Sequence, residues 1–243
     1  MLKKIVKILL FSFLSFQVLD AASVVNDGYE ELKKGNILEA ANIFQNACNE
    51  GAASGCYNLG LLYYKGDKIA QNYNKAFDNF TKACDNGHTG ACYNLAYMYQ
   101  NAQGTLQDIN KALNLYEKTC EAGIGAACYN IANIYEVGDG VETDSFKAID
   151  YLTRACDMKH SKACFNLAVR FQNEDGVEKN PLKAANLYQK SCDLGYSSAC
   201  YNLGVMYNDG VYFTKNSSLA KQFFKKACDM NLDTACEAYK NVK

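Results

Sequence analysis

The sequence predicts an all-α fold, an α-solenoid of 36-residue helix-turn-helix repeats with one disulfide in each repeat. All twelve cysteines fall into six pairs whose members are eight residues apart, and equivalent cysteines recur every 36 residues. Helical periodicity flanks each pair. Self-similarity at a fixed period of this length is typical of solenoid proteins. The predicted disulfides are Cys48–Cys56, Cys84–Cys92, Cys120–Cys128, Cys156–Cys164, Cys192–Cys200 and Cys228–Cys236.

The second pair shows why each repeat should be a bridged hairpin. Apolar residues from Ala76 to Cys84 lie at i, i+1, i+4, i+7 and i+8, which is one helical stripe. Gly87 then provides the left-handed residue that commonly follows a helix end. A second stripe runs from Cys92 to Tyr99. Both cysteines therefore lie at the closed end of a hairpin, where the roughly 4.4–6.8 Å Cα separation of a disulfide can be met.

Zinc binding is the alternative use of paired cysteines. Structural zinc sites need four nitrogen or sulfur ligands, with about two to four residues between the members of each ligand pair. The chain has two histidines, His88 and His160, at a position that other repeats fill with Ala, Ile, Tyr or Leu. Such tolerance indicates an exposed turn rather than a ligand. We therefore favour disulfides over zinc, and expect no metal and no cofactor.

Residues 1–22 have the pattern of a secretory signal peptide. Lys3, Lys4 and Lys7 precede an apolar run from Ile8 to Leu19. Cleavage would remove three lysines and one aspartate, which takes the formal charge from −1 to −3. This charge argues against a nucleic-acid partner, and no later segment is apolar enough to span a membrane. A secreted or periplasmic location is expected, since disulfides persist in oxidising compartments.

The mature chain, 23–243, is predicted to be a single α-solenoid domain and a monomer. It should begin with a leading helix in 23–35 and end with a closing helix in 233–243. First helices of the repeats are predicted near 36–50, 73–86, 109–122, 145–158, 181–194 and 217–230. Second helices are predicted near 54–65, 90–101, 126–137, 162–173 and 198–208.

Several motifs inside the period resemble those of a known family. They are Glu39-Ala40, Lys75-Ala76, the Cys-Tyr-Asn-Leu-Gly of Cys56–Gly60 and Cys200–Gly204, and Gly138-Asp139-Gly140-Val141. These motifs resemble Sel1-like repeats, and the added cysteine pairs and signal peptide resemble the Helicobacter cysteine-rich proteins. The resemblance implies a right-handed superhelix of bridged hairpins. It also implies two functional classes, β-lactamases or penicillin-binding proteins, and secreted proteins that interact with partner proteins.

The sequence contains only one of the motifs that a serine β-lactamase site requires. Serine β-lactamases use S-x-x-K together with S-D-N and K-T-G motifs. The chain has Ser218-Leu219-Ala220-Lys221 and neither companion motif. Ser218 is expected in the first turn of a helix, where serine is common for structural reasons. Ser218 and Lys221 are therefore weak catalytic candidates, and a penicillin-binding protein or weak β-lactamase with a β-lactam or peptidoglycan-related ligand is the alternative function.

A recurring asparagine is the stronger functional candidate. It stands two residues after each second cysteine, and its amide can both donate and accept hydrogen bonds to a peptide backbone. Four residues further on, a mostly apolar set is expected to complete the surface. We therefore favour a scaffold that binds a protein or peptide in a concave groove. A structural role in bonding neighbouring helices, and a purely structural envelope spacer, remain alternatives. The asparagines are Asn58, Asn94, Asn130, Asn166 and Asn202, and the second set is Leu62, Met98, Ile134, Arg170 and Met206.

Overall fold

The computed structural model describes residues 23–66, 68–210 and 212–242, and confirms the all-helical repeat fold. The predicted signal peptide lies outside these residues. Within them there are thirteen helices and no strand. The helices are α1 (23–34), α2 (Ile37–Asn49), α3 (Ala53–Lys65), α4 (Tyr73–Asp85), α5 (Thr89–Gln100), α6 (Ile109–Glu121), α7 (Gly125–Val137), α8 (Ser145–Asp157), α9 (Ser161–Asn173), α10 (Pro181–Asp193), α11 (Ser197–Asp209), α12 (Ser217–Asp229) and α13 (Asp233–Asn241).

All twelve cysteines form the six disulfides that the spacing predicts. Each bridge joins the last turn of one helix to the first turn of the next, with Cα–Cα separations between 4.5 and 5.0 Å. The turn inside the bridge is tight. At the second hairpin, Gly87 has a φ of 86°, and the His88 N–H donates to the Ala83 carbonyl at 2.9 Å. The bonds are Cys48–Cys56, Cys84–Cys92, Cys120–Cys128, Cys156–Cys164, Cys192–Cys200 and Cys228–Cys236.

The first helices start at asparagine or aspartate because a short polar side chain can accept a free N–H of the first turn. Asn72 accepts from the Lys75 N–H and Asp144 from the Lys147 N–H, each at 2.9 Å. The lysine at this third position reaches back over an aromatic ring of the preceding helix. These pairs are Lys75–Tyr63, Lys111–Tyr99, Lys147–Tyr135 and Lys183–Phe171.

The described helices form two compact units, with the boundary between Thr119 and Cys120. In the first unit, the buried cores are built around Phe44 and Phe80. In the second unit, Tyr188, Leu203 and buried alanines form a corresponding core. The alanine of each Lys-Ala pair is fully buried, as at Ala76 and Ala184, so the helices pack closely there. The single-domain organisation and the handedness of the array stay predictions.

Candidate functional site

The recurring asparagines Asn58, Asn94, Asn130, Asn166 and Asn202 are here called the asparagine row. Asn58, Asn166 and Asn202 hydrogen-bond tyrosine hydroxyls of neighbouring helices. Asn58 is 6% exposed, and the Tyr29 hydroxyl lies 3.1 Å from its Oδ1 and 2.9 Å from its Nδ2. Asn202 hydrogen-bonds the hydroxyl of Tyr188, whose pKa is raised by burial. Asn94 and Asn130 are half-buried. The amides at positions 58 and 202 are thus oriented by the protein itself. Asn202 is half-buried and keeps part of its bonding capacity for a ligand, whereas Asn58 is buried.

The positions four residues further on do not form the open surface that the sequence suggested. Met98 and Ile134 are fully buried, and Met206 is 5% exposed. Position i+4 is rotated by about 40° from the asparagine around a helix of 3.6 residues per turn, and this rotation carries the side chain from the half-buried edge of the helix into the hairpin core. Leu62 is half-buried. A ligand along the row would therefore meet the asparagines and their exposed neighbours, and not these apolar side chains.

Arg170 is the exception in this set, since it carries a charge at a core position. It is 4% exposed, and no other described charged residue is buried. Its Nη2 contacts the Glu136 carboxylate. Its Nη1 lies 3.4 Å from Asp175 Oδ2 and donates to the Asp175 carbonyl at 3.3 Å. Two carboxylates thus face one guanidinium.

The backbone around Asp175 fixes this arrangement. The Asp175 N–H donates to the Arg170 carbonyl at 3.1 Å, so each of the two residues donates a hydrogen bond to the backbone carbonyl of the other. Glu174 and Gly176 on either side have φ values of 63° and 69°. These left-handed residues reverse the chain immediately after α9. The carboxylate is therefore held beside Arg170 rather than placed there by a long flexible loop.

A change of residue type at one repeat position explains why a pocket lies beside Arg170. At the buried aromatic position of the first helices, the repeats place Phe44, Phe80, Tyr116, Leu152, Tyr188 and Phe224. The Tyr188 hydroxyl donates to Gln172 Oε1 at 2.7 Å, and the Tyr116 hydroxyl to Gln100 Oε1 at 3.0 Å. Leu152 has no ring and no hydroxyl. Glu136, which stands in register with those glutamines, meets Arg170 instead.

The resulting pocket lies among α7, α8 and α9 and has a volume of about 270 Å³. Asn166 lacks here the tyrosine that Asn202 has in its own repeat, and its Nδ2 donates to Tyr129 at 3.5 Å. Sequence reasoning missed this pocket, although the aromatic-to-leucine change at position 152 was a usable signal. The lining residues are Ala132, Asn133, Glu136, Leu152, Phe165, Asn166, Val169, Arg170 and Asp175.

Ser218 and Lys221 do not form a nucleophile–base pair. Ser218 is exposed in the first turn of α12, whose N-cap is Asn216. Lys221 Nζ lies 5.4 Å from the centroid of the Tyr239 ring. No hydrogen bond joins the two candidates in the described part of the chain. A serine nucleophile needs such a bond to a base, and the geometry gives the pair no support.

The two histidines are structural, and the exposed turn expected for them was wrong. Nδ1 of His88 accepts the Ala91 N–H at 3.1 Å, and Nδ1 of His160 accepts the Ala163 N–H at 3.3 Å. Both rings are half-buried and stack near Tyr57 and Tyr129 of the preceding repeats. Among residues 23–66, 68–210 and 212–242, no group of three metal-ligating side chains comes together.

A family model decides what the chain is related to. The model described as "Sel1 repeat" matches residues 53–88, 89–124, 125–160, 161–196 and 197–232, which is well over half of the chain. The chain belongs to the Sel1 repeat family. Its Sel1 boundaries fall at the start of each second helix, so one Sel1 unit contains a second helix, a loop and the following first helix.

Among characterised sequences, this Sel1 protein is similar to HcpC of Helicobacter pylori, whose name provisionally classes it as a beta-lactamase. The two are 36% identical over 56 residues, which is 23% of this chain and 19% of HcpC. The match thus covers about a fifth of that relative. The resemblance to the cysteine-rich Helicobacter proteins is therefore local, while the Sel1 assignment covers most of the chain.

Two solved structures extend the similarity over the Sel1 array. A Sel1 repeat protein from Oxalobacter formigenes has a TM-score of 0.78 and 25% identity, covering 87% of this chain and 86% of its own. The protective antigen c5321 of uropathogenic Escherichia coli, described as displaying an SLR fold, has a TM-score of 0.74 and 25% identity. That match covers 90% of this chain and 48% of the antigen.

Proposed function

We propose that this Sel1 repeat protein is a scaffold that binds a protein or peptide segment along its asparagine row, without chemistry of its own. The observation that carries the proposal is the row itself. It places one amide at the same register in successive repeats, and tyrosine hydroxyls orient it at positions 58 and 202. A row of oriented amides can bond alternate backbone groups of an extended segment.

The proposed location is outside the cytoplasm. Six disulfides are typical of an oxidising compartment. No helix in the described ranges has the length and hydropathy of a membrane span. Export through the predicted signal peptide of residues 1–22, to the periplasm or the medium, completes this proposal.

A peptide array probed with the oxidised protein tests the binding function. We expect defined peptides whose binding is lost when Asn94, Asn130 and Asn166 are changed to alanine together. The matched control is the triple alanine variant of Asn74, Asn110 and Asn114, which are exposed on first helices. Peptides that bind the row variant as well as the wild type contradict the proposal.

β-Lactam binding or hydrolysis is the second candidate, because HcpC, to which this chain is similar over 56 residues, carries that class name. The chain offers Ser218 and Lys221, with the unfavourable geometry given above. Nitrocefin turnover by the purified protein distinguishes the candidates. Turnover that disappears in Ser218→Ala supports the enzyme, and turnover equal to the buffer blank supports the scaffold.

A further inference from the structure

We propose that the pocket among α7, α8 and α9 binds a lysine or arginine side chain of the bound segment. This inference rests on the proposed function, because it names the side chain that such a segment presents. The pocket exists because Leu152 replaces the aromatic residue of other repeats. It is lined by apolar carbons and by acceptor oxygens, which match the alkyl stem and charged head of a basic side chain.

The charge balance selects a cation over an anion. Arg170 is buried and already meets both Glu136 and Asp175. An anionic ligand would add a third negative group to one guanidinium. The two carboxylate side chains are 44% and 62% exposed, so their remaining lone pairs are accessible at the rim. A cationic head placed between them brings the local charge to zero.

The neighbouring loops strengthen the same preference. The loops 138–144 and 174–180 together carry six acidic residues and one lysine. The second loop contributes Asp175 to the pocket, and the first begins two residues after Glu136. Their summed negative potential favours a basic segment and repels an acidic one.

Each lining group has a defined part in this binding. Leu152, Phe165 and Val169 contact the alkyl stem. Glu136 and Asp175 accept from the ammonium or guanidinium, and Asn166 supplies an amide oxygen at the same register as the rest of the row. Arg170 is a positioning residue, because its guanidinium contacts both carboxylates.

The test uses the oxidised full chain and a short capped peptide, acetyl-Gly-Gly-Lys-Gly-Gly-amide. Binding is followed by NMR through the side-chain amide signals of Asn133 and Asn166. We expect saturable shifts with the lysine peptide. The norleucine analogue should bind about tenfold more weakly, because it keeps the stem and loses the charged hydrogen bonds. Glutamate and tyrosine analogues separate the anionic and aromatic alternatives.

Variants localise the signal. Leu152→Tyr should abolish lysine-peptide binding, since it restores the ring that Tyr116 and Tyr188 place at this position. Asp175→Asn should weaken it about tenfold while leaving the fold intact. Asp139→Asn is the matched control, because it changes the equivalent loop position one repeat earlier, outside the pocket. It should leave the affinity within about twofold at 0.15 M salt, where exposed charges are screened.

Three results would overturn the inference. They are tighter binding of the glutamate or tyrosine peptide, undiminished binding to Leu152→Tyr, and no shift with the lysine peptide. If row-dependent peptides are found on the array but the lysine peptide gives no shift, the pocket assignment fails and the scaffold function stands. If the lysine peptide binds but no array peptide depends on the row, the scaffold function fails and the pocket remains a site for basic side chains.

Discussion

Each histidine is a helix cap that works only when neutral. Nδ1 of His88 and of His160 accepts a backbone N–H, and a protonated imidazole cannot accept. Desolvation by burial lowers the pKa of both rings, and the charge of Lys162 lowers that of His160 further. The folded pKa values thus lie below the unfolded value of about 6.5. The stability from these caps is present above pH 6.5 and is lost as the pH falls through the folded pKa values.

We therefore expect the melting temperature to fall between pH 7.5 and pH 5. His88→Asn combined with His160→Asn should reduce this fall, because asparagine caps equally well and does not titrate. His88→Ala should cost about 1 kcal/mol at pH 7.5 through loss of the cap. Thermal unfolding at both pH values measures the effect, and NMR titration of the two histidines gives their pKa values. Identical pH dependence in the wild type and the double asparagine variant would refute this explanation.

Arg170 is a charge at a position where other repeats place an apolar residue, namely Leu62, Met98, Ile134 and Met206. Met98 and Met206 are buried there without a polar partner. Replacing a buried ion pair with a well-packed apolar residue is often neutral or stabilising. In Arg170→Met the partners Glu136 and Asp175 return to water, since both are already exposed.

We predict that the free energy of unfolding of Arg170→Met lies within about 1 kcal/mol of the wild-type value or exceeds it. Guanidinium denaturation with unchanged disulfides measures this. A loss of more than about 3 kcal/mol would show that the ion pairs stabilise the fold. The affinity for the lysine peptide should fall in the same variant, because the carboxylates lose the group that positions them. The combination of retained stability and weakened binding is specific to a positioning residue.

Some residue-level features were not readable from the sequence. The asparagine register was evident, but its tyrosine partners come from different helices and from different sequence offsets, such as Tyr29 for Asn58 and Tyr188 for Asn202. The burial of Met98 and Ile134 depends on which way a helix face turns. The histidine caps were missed because the position also holds alanine, isoleucine, tyrosine and leucine, so no residue type marks it.

At the scale of the helix, close packing depends on matched small and large residues. Gly60 packs against Phe80, and a Cβ at Gly60 would lie 2.7 Å from two ring carbons of Phe80. Gly204 stands in the same relation to Phe224. In the intervening second helices, alanine occupies this register, and the facing residue is Leu152 or tyrosine instead of phenylalanine. The sequence therefore pairs glycine with phenylalanine.

We predict that Gly60→Ala destabilises the protein by about 1–3 kcal/mol through overpacking. Adding Phe80→Leu should recover part of this loss, because the chain itself uses alanine opposite leucine at Ala132 and Leu152. A double-mutant cycle by denaturant unfolding isolates the coupling between the two positions. Strictly additive effects would contradict direct packing between them.

The helices themselves were predictable, because period and turn chemistry agree. Most predicted bounds lie within one residue of those observed, as for α4, predicted near 73–86 and found at Tyr73–Asp85. The same helix-start and helix-end patterns recur every 36 residues, so a boundary that is ambiguous in one repeat can be assigned from another. The loops are less predictable, since left-handed residues such as Glu174 and Asn231 are not glycine.

At the scale of the whole chain, disulfides supply part of the stability that a large hydrophobic core provides in other proteins. Each repeat contacts mainly its sequence neighbours in this class of fold, and the described residues form separate buried clusters within each unit. A bridge between residues eight apart closes a loop of nine residues and restricts the unfolded chain. The chain-entropy model assigns about 2.5 kcal/mol to such a loop.

The last prediction follows from the placement of all six bridges inside hairpins. Reduction should lower stability by up to about 15 kcal/mol in total, while Cys228→Ala with Cys236→Ala should cost about one sixth of that. The increments should be additive, because the bridges close separate loops. Peptide mapping without reductant checks the pairing, and unfolding with and without a phosphine reductant measures the loss. Free thiols in the exported protein, links between different hairpins, or a melting temperature indifferent to reductant would contradict a chain stabilised hairpin by hairpin.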